Sequence, residues 1–140
     1  MRPARRPARL ADDMVRKLQG MLRRIRWSDE DAVRFFGCYL TEPKSHVQFA
    51  RPPRPLTEAA FRARAAQSGV RLAAPTRMLF RGRTLYINGE AHALAAPAVR
   101  RLSRLADRRA LPPLAAPDRE TIHSLYQWYR AGYIHLNAGE

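Results

Sequence analysis

The sequence predicts an α+β fold, an N-terminal helical pair followed by a small α+β module with a short antiparallel sheet. Three observations carry that expectation. Apolar residues recur at helical spacing in the first third of the chain. The period then shifts to short apolar runs separated by Gly-containing turns, and helical spacing returns on either side of them. The chain has 140 residues, 46% hydrophobic and 27% charged, the composition of one folded domain or two small modules.

The charge is lopsided. Lys+Arg number 26 against 12 Asp+Glu, a formal net charge of +14, and all the cations except Lys17 and Lys44 are arginine. Such an excess points to an anionic neighbourhood, RNA, DNA or a ribosome surface, more than to a membrane. No run approaches the roughly 18 apolar residues of a membrane span. Residues 1–9 read as a flexible basic arm without the apolar region of a secretory signal, and Asp12 and Asp13 break the acid-poor character of a transit peptide. A single cysteine, Cys38, excludes an internal disulfide, so a reducing cytoplasm is the expected setting.

Residues 10–42 are expected to hold the helical pair. Leu10, Met14, Leu18, Met21, Leu22 and Ile25 make one apolar stripe, with Arg9, Arg16 and Arg23 as a cationic stripe that suits either solvent or phosphate. Ser28 and Asp31 have the form of a capping box, and the second helix should run from Asp29 to Thr41 because Pro43 holds Glu42 extended. Ala32, Val33, Phe35, Phe36, Cys38, Tyr39 and Leu40 make that helix apolar over most of its girth. Such a helix needs neighbours on two sides, either the C-terminal module or a second subunit. The subunit reading predicts a homodimer interface of Leu18, Leu22, Ile25, Phe35, Phe36, Tyr39 and Leu40.

Residues 43–56 form a Pro-rich connector, stiff at Arg51 to Pro55, with His46 to Phe49 as a short strand candidate. The module then spans 57–136, with 137–140 as a tail. Thr57 caps a helix through Gln67 that turns Phe61 and Ala65 inward and stops at Gly69. Met78 to Phe80, Thr84 to Ile87 and Ala91 to Leu94 read as strands, with turns at Arg81 to Arg83 and at Asn88-Gly89. Pro97 opens a helix through Arg108 that buries Val99, Leu102 and Leu105 and leaves Arg100, Arg104 and Arg108 outside as candidate RNA or ribosome contacts. Asp118 caps a last helix with Ile122, Leu125, Tyr126 and Tyr129 inward; Gly132 stops it, and Tyr133 to Leu136 reads as a final strand. Helices around a small sheet fit a winged-helix type of module, among other α+β arrangements.

Catalytic, cofactor-binding and metal residues are not expected in this chain. His92, His123 and His135 are isolated, and Cys38, read as a buried thiol, has only His46 near in sequence as a base. Asp29, Glu30 and Asp31 suit a helix N-terminus without catalysis. There is no Gly-rich phosphate loop.

Trp27 to Leu56, centred on Phe35 to Lys44, resembles the region after the catalytic domain of bacterial JmjC/cupin ribosomal oxygenases. The segments Leu85 to Glu90 and Ala131 to Leu136 resemble parts of that family's C-terminal module, and the likeness covers roughly residues 10–136. The resemblance implies a helical dimerisation region and a winged-helix-like domain, taken from enzymes that hydroxylate an arginine of a large-subunit ribosomal protein with Fe(II), 2-oxoglutarate and oxygen. Their chemistry needs a His-x-Asp/Glu pair and a second His as iron ligands. The four histidines here are followed two positions on by Gln48, Leu94, Leu125 and Asn137, so that pair is missing, as is the cupin barrel. The expected function is therefore a non-catalytic dimerisation and substrate-docking portion of such a protein. Fe(II) and 2-oxoglutarate would belong to a separate catalytic domain. A ribosomal protein or ribosomal RNA is the implied partner, with neither a membrane nor a small-molecule substrate. The alternative is a stand-alone basic winged-helix nucleic-acid-binding protein. Against sequence-specific DNA reading stand the long loop before the last helix and that helix's only cations, Arg119 and Arg130.

Overall fold

The computed structural model describes residues 12–24 and 28–138, and the side chains of 22–24 lie outside that description. The basic arm, Leu10, Ile25 and the side chain of Leu22 are thus outside the described residues. Two compact units divide after Val33.

The first unit holds α1 (Asp12–Arg24) and the start of α2 (Asp29–Thr41). Met14, Leu18 and Met21 of the expected stripe are exposed. The capping box forms in both directions: Asp31 N donates to Ser28 Oγ at 3.1 Å, and Ser28 N to Asp31 Oδ2 at 3.4 Å.

The second unit starts at Arg34 and contains α3 (Glu58–Ser68), β1 (Val70–Leu72), β2 (Met78–Arg81), β3 (Thr84–Ile87), β4 (Glu90–Ala93), α4 (Ala96–Arg108), β5 (Ala110–Leu111), α5 (Arg119–Ala131) and β6 (Ile134–Leu136). The strands make two antiparallel three-stranded sheets, β5-β1-β6 and β2-β3-β4, in place of a single short sheet. β1 and β5 arise because sequence-distant backbones meet, Val70 opposite both Leu111 and Leu136.

The second sheet is a meander with two tight turns. Asn88 and Gly89 both have positive φ, 47° and 87°, the geometry that matches a hairpin's twist and that Asn-Gly tolerates best. The Asn88 side chain also accepts from Arg77 N at 3.0 Å, which fixes the start of β2. His46 to Phe49 is not a strand. His46 lies within a turn closed by Val47 N donating to Lys44 O at 2.9 Å, and Phe49 stands edge-on to Tyr133 at 4.8 Å.

The core lies between α3, α4, α5 and the sheets, and Phe61, Leu85, Ile87, Leu102, Leu105, Leu125 and Ile134 are fully buried in it. Trp128, which the apolar stripe of α5 omits, is nearly as buried, while Tyr126 is only partly covered. Both tyrosines of that stripe hold the connector, Tyr126 Oη donating to Leu56 O at 2.8 Å and Tyr129 Oη accepting from Leu56 N at 3.1 Å. Caps form where expected: Thr57 Oγ1 accepts from Ala60 N, Asp118 from Thr121 N, and Gly132 closes α5 in the left-handed conformation.

Candidate functional site

The second half of α2 has two contrasting faces. Gly37 and Thr41 are buried. Thr41 Oγ1 donates to Gly37 O at 2.8 Å and accepts from Gly89 N at 3.0 Å, which ties the end of α2 to the β3–β4 turn. On the other face Phe35, Phe36, Tyr39 and Leu40 are each more than half exposed. Their rings order one another, Phe35 edge-on to Phe36 at 5.9 Å and stacked over Tyr39 at 6.1 Å. Four large apolar side chains are thus exposed together on one side of the helix, more than the scattered single apolar residues of an ordinary surface. Of the seven residues expected to form a dimer interface, the described side chains of Leu18, Phe35, Phe36, Tyr39 and Leu40 are all exposed.

Cys38 is half-buried rather than enclosed, because α2 turns it towards the edge of a cleft and not into the core. The cleft, of about 430 Å³, is lined by Cys38 with Phe35, Tyr39, Glu42, Asn88 and Glu90. Glu90 Oε2 accepts from Tyr133 Oη at 2.8 Å. Its other oxygen lies 3.5 Å from His92 Nε2, and His92 meets Trp128 edge-on at 5.7 Å. Among the described residues His92 Nε2 and the indole N–H of Trp128 are buried without a hydrogen-bond partner. No three His, Cys, Asp or Glu side chains among the described residues gather as a metal would require. With no His-x-Asp/Glu pair in the sequence, these residues do not fit an iron and 2-oxoglutarate centre.

Arg100, Arg104 and Arg108 lie exposed on α4, whose opposite side buries Val99, Leu102 and Leu105. Arg101 is not part of that row; its guanidinium donates to Ala115 O at 2.6 Å and pins the loop before α5. That loop, containing Pro112 and Pro113, separates α4 from α5 by more than the turn of a helix-turn-helix. A second cleft, of about 410 Å³, is lined by Lys44, His46, Arg77 and Arg109, a grouping that the sequence pattern does not announce. Arg109 follows α4 with a left-handed φ of 62°.

A family model described as ROXA-like winged helix matches residues 24–135. The chain belongs to the ROXA-like winged-helix family. YcfD, a ribosomal oxygenase from Escherichia coli, shares the fold of this ROXA-like chain with a TM-score of 0.68 and 22% identity, over 99% of this chain and 39% of that one. The same protein in complex with cobalt and 2-oxoglutarate gives 0.69 and 23%, over 96% and 38%. This chain thus spans less than half the length of the structures it resembles, and it matches the winged-helix part of such an oxygenase rather than its catalytic domain. A comparison with curated protein sequences finds no match. Among the described residues no helix is long and apolar enough to cross a membrane.

Proposed function

We propose that this chain is a non-catalytic dimerisation and substrate-docking portion of a ribosomal-oxygenase-like protein. The observation that carries the reading is the exposed cluster of Phe35, Phe36, Tyr39 and Leu40 on a helix whose opposite face is anchored by Gly37 and Thr41. Rings held in mutual contact at the surface present a preordered apolar patch, and a second copy covering it would remove that area from water. The dimer would also use Leu18, Leu22 and Ile25. Fe(II) and 2-oxoglutarate would be held by a catalytic domain of the cupin kind, and the setting would be cytoplasmic.

The docking half of the reading rests on the exposed row of Arg100, Arg104 and Arg108. Guanidinium groups in a row attract phosphate without reading bases, which suits ribosomal RNA or a ribosomal protein still bound to it.

Light scattering at low and high salt tests the dimer. A salt-independent dimer is expected, and Phe36→Asp should yield monomer, because the new carboxylate would be buried unpaired. A monomeric wild-type chain would overturn dimerisation and favour the stand-alone nucleic-acid-binding reading. Replacing Arg100, Arg104 and Arg108 by Glu should weaken RNA retention and flatten its salt dependence; unchanged retention would overturn docking through α4.

A further inference from the structure

We infer that the cleft of Lys44, His46, Arg77 and Arg109 is a phosphate seat for an RNA strand whose backbone continues along Arg108, Arg104 and Arg100 of α4. The choice of RNA as the polyanion rests on the docking reading above; the cleft is a site that reading does not contain.

The lining is one-sided in charge. Three permanent cations and a histidine come from the connector, from the start of β2 and from the end of α4, and no carboxylate lines the cleft. Like charges repel, so three elements converging this way leave a local positive potential that a polyanion relieves.

One wall of the seat is fixed before anything binds. The Arg109 guanidinium donates from Nη1 to Thr76 O at 2.9 Å and from Nη2 to Ala73 O at 3.0 Å and Ala74 O at 3.2 Å. The turn that offers those carbonyls is itself fastened. Ala73 N donates to Tyr133 O, Thr76 N to Ala73 O, and Thr76 Oγ1 to Tyr133 O at 2.6 Å. Arg77 follows directly, its backbone N held by Asn88 Oδ1 at 3.0 Å. The three acceptors are neutral carbonyls, so the guanidinium keeps its formal charge. Arg109 is therefore a fixed cation with N–H donors to spare, and little side-chain entropy is lost when an anion meets it.

A polymer fits better than a small anion because Arg109 is the next residue in the chain after Arg108, where the exposed α4 row ends. Arg100 to Arg108 rises about 12 Å at about 1.5 Å per residue, a line of charge that only a ligand with repeating negative groups can use along its length. RNA carries one such group per nucleotide, and arginine and lysine meet phosphate oxygens irrespective of base.

The test is fluorescence anisotropy of the full chain with a labelled twelve-nucleotide oligouridylate across a salt series. Lys44→Ala with Arg77→Ala is the cleft variant, since no hydrogen bond among the described residues uses either side chain; Arg109 is left intact because it holds the turn. The cleft variant should bind at least about tenfold more weakly at low salt, with the log–log salt slope smaller by about 1.4, that is about 0.7 for each single-strand phosphate no longer neutralised. Circular dichroism should match the wild type. Wild-type affinity and slope in the cleft variant would overturn the seat, even if the α4 triple variant loses binding and docking stands. Loss in the cleft variant with no loss in the α4 variant would leave the seat and remove the continuation along α4. Equal displacement of the RNA by a polyglutamate peptide would overturn RNA as the occupant.

Discussion

Gly37 lies against the ring of Tyr86 so closely that a methyl group added at its α-carbon would stand 2.3 Å from Cδ1 of that ring. The helix that carries the exposed aromatic cluster thus rests with its bare backbone at Gly37 directly on the Tyr86 ring of β3. A Cβ at Gly37 would meet a buried aromatic ring, and either the ring or the helix must shift.

Gly37→Ala should therefore destabilise the protein by about 1–3 kcal/mol, the range for overpacking a filled site. Gly20 on α1 is the control. Nothing lies within 4 Å of a Cβ placed there, so Gly20→Ala should be neutral or stabilising by up to about 1 kcal/mol through helix propensity. Urea midpoints for both variants decide it; equal effects would mean that the contact between Gly37 and Tyr86 does not hold the helix.

Thr41 gives a second handle on the same seat. Its hydroxyl is the acceptor for Gly89 N, and the side chain is fully buried. Thr41→Val keeps the shape and leaves that amide without its acceptor, which should cost about 1–3 kcal/mol. A Thr41→Ser variant, which retains the hydroxyl, should recover part of the loss. Equal stability of the Val and Ser variants would show that shape alone matters.

The parts legible in the sequence are those set by local chemistry. Ser28 with Asp31, Thr57 and Asp118 announce helix starts because a short polar side chain bonds an amide three residues on, and Asn88-Gly89 announces a turn because few other pairs take two positive φ values. β1 and β5 are invisible in the sequence. At three and two residues they have no alternation to read, and they are strands only because α3, α5 and the loop after α4 bring them together. Trp128 escapes a single stripe drawn on α5, because α5 packs against both α3 and α4 and buries a wider arc. The apolar girth of α2 is legible, but not that Gly37 and Thr41 face inward and the aromatic residues outward. Lys44, Arg77 and Arg109 stand among 26 cations with nothing local to mark them, since their convergence is wholly tertiary.

Alkaline pH should expose the pair of Tyr133 and Glu90. Burial, then the hydrogen bond to Glu90 and its charge, push the Tyr133 hydroxyl from 10.0 up to about 12, against a smaller opposing pull from Arg51. The folded state holds this proton more tightly than the unfolded chain. The stability linked to it is intact below pH 10.0 and is lost as pH rises towards about 12. Tyr133→Phe should remove that share of the alkaline decline, and Glu90→Gln should shift its end to lower pH by removing the carboxylate charge. Urea midpoints measured through this window check both, and an unaltered decline in Tyr133→Phe would assign it to other groups.

Acid pH should act through Asp118. Burial raises its pKa, but the hydrogen bonds from Thr121 Oγ1 and Thr121 N, with the nearby Arg101 charge, outweigh that and hold it below the ordinary 3.8. A depressed carboxylate stabilises the fold above its unfolded pKa, and that contribution is lost as pH falls through the folded value. Two variants separate cap from charge. Asp118→Ala removes the acceptor for Thr121 N and should cost about 1 kcal/mol at neutral pH. Asp118→Asn keeps an acceptor oxygen and should cost less, but its stability should fall less steeply than the wild type below pH 3.8, because no carboxylate there remains to be protonated. Identical acid slopes for the wild type and Asp118→Asn would show that the cap works through geometry and not through charge.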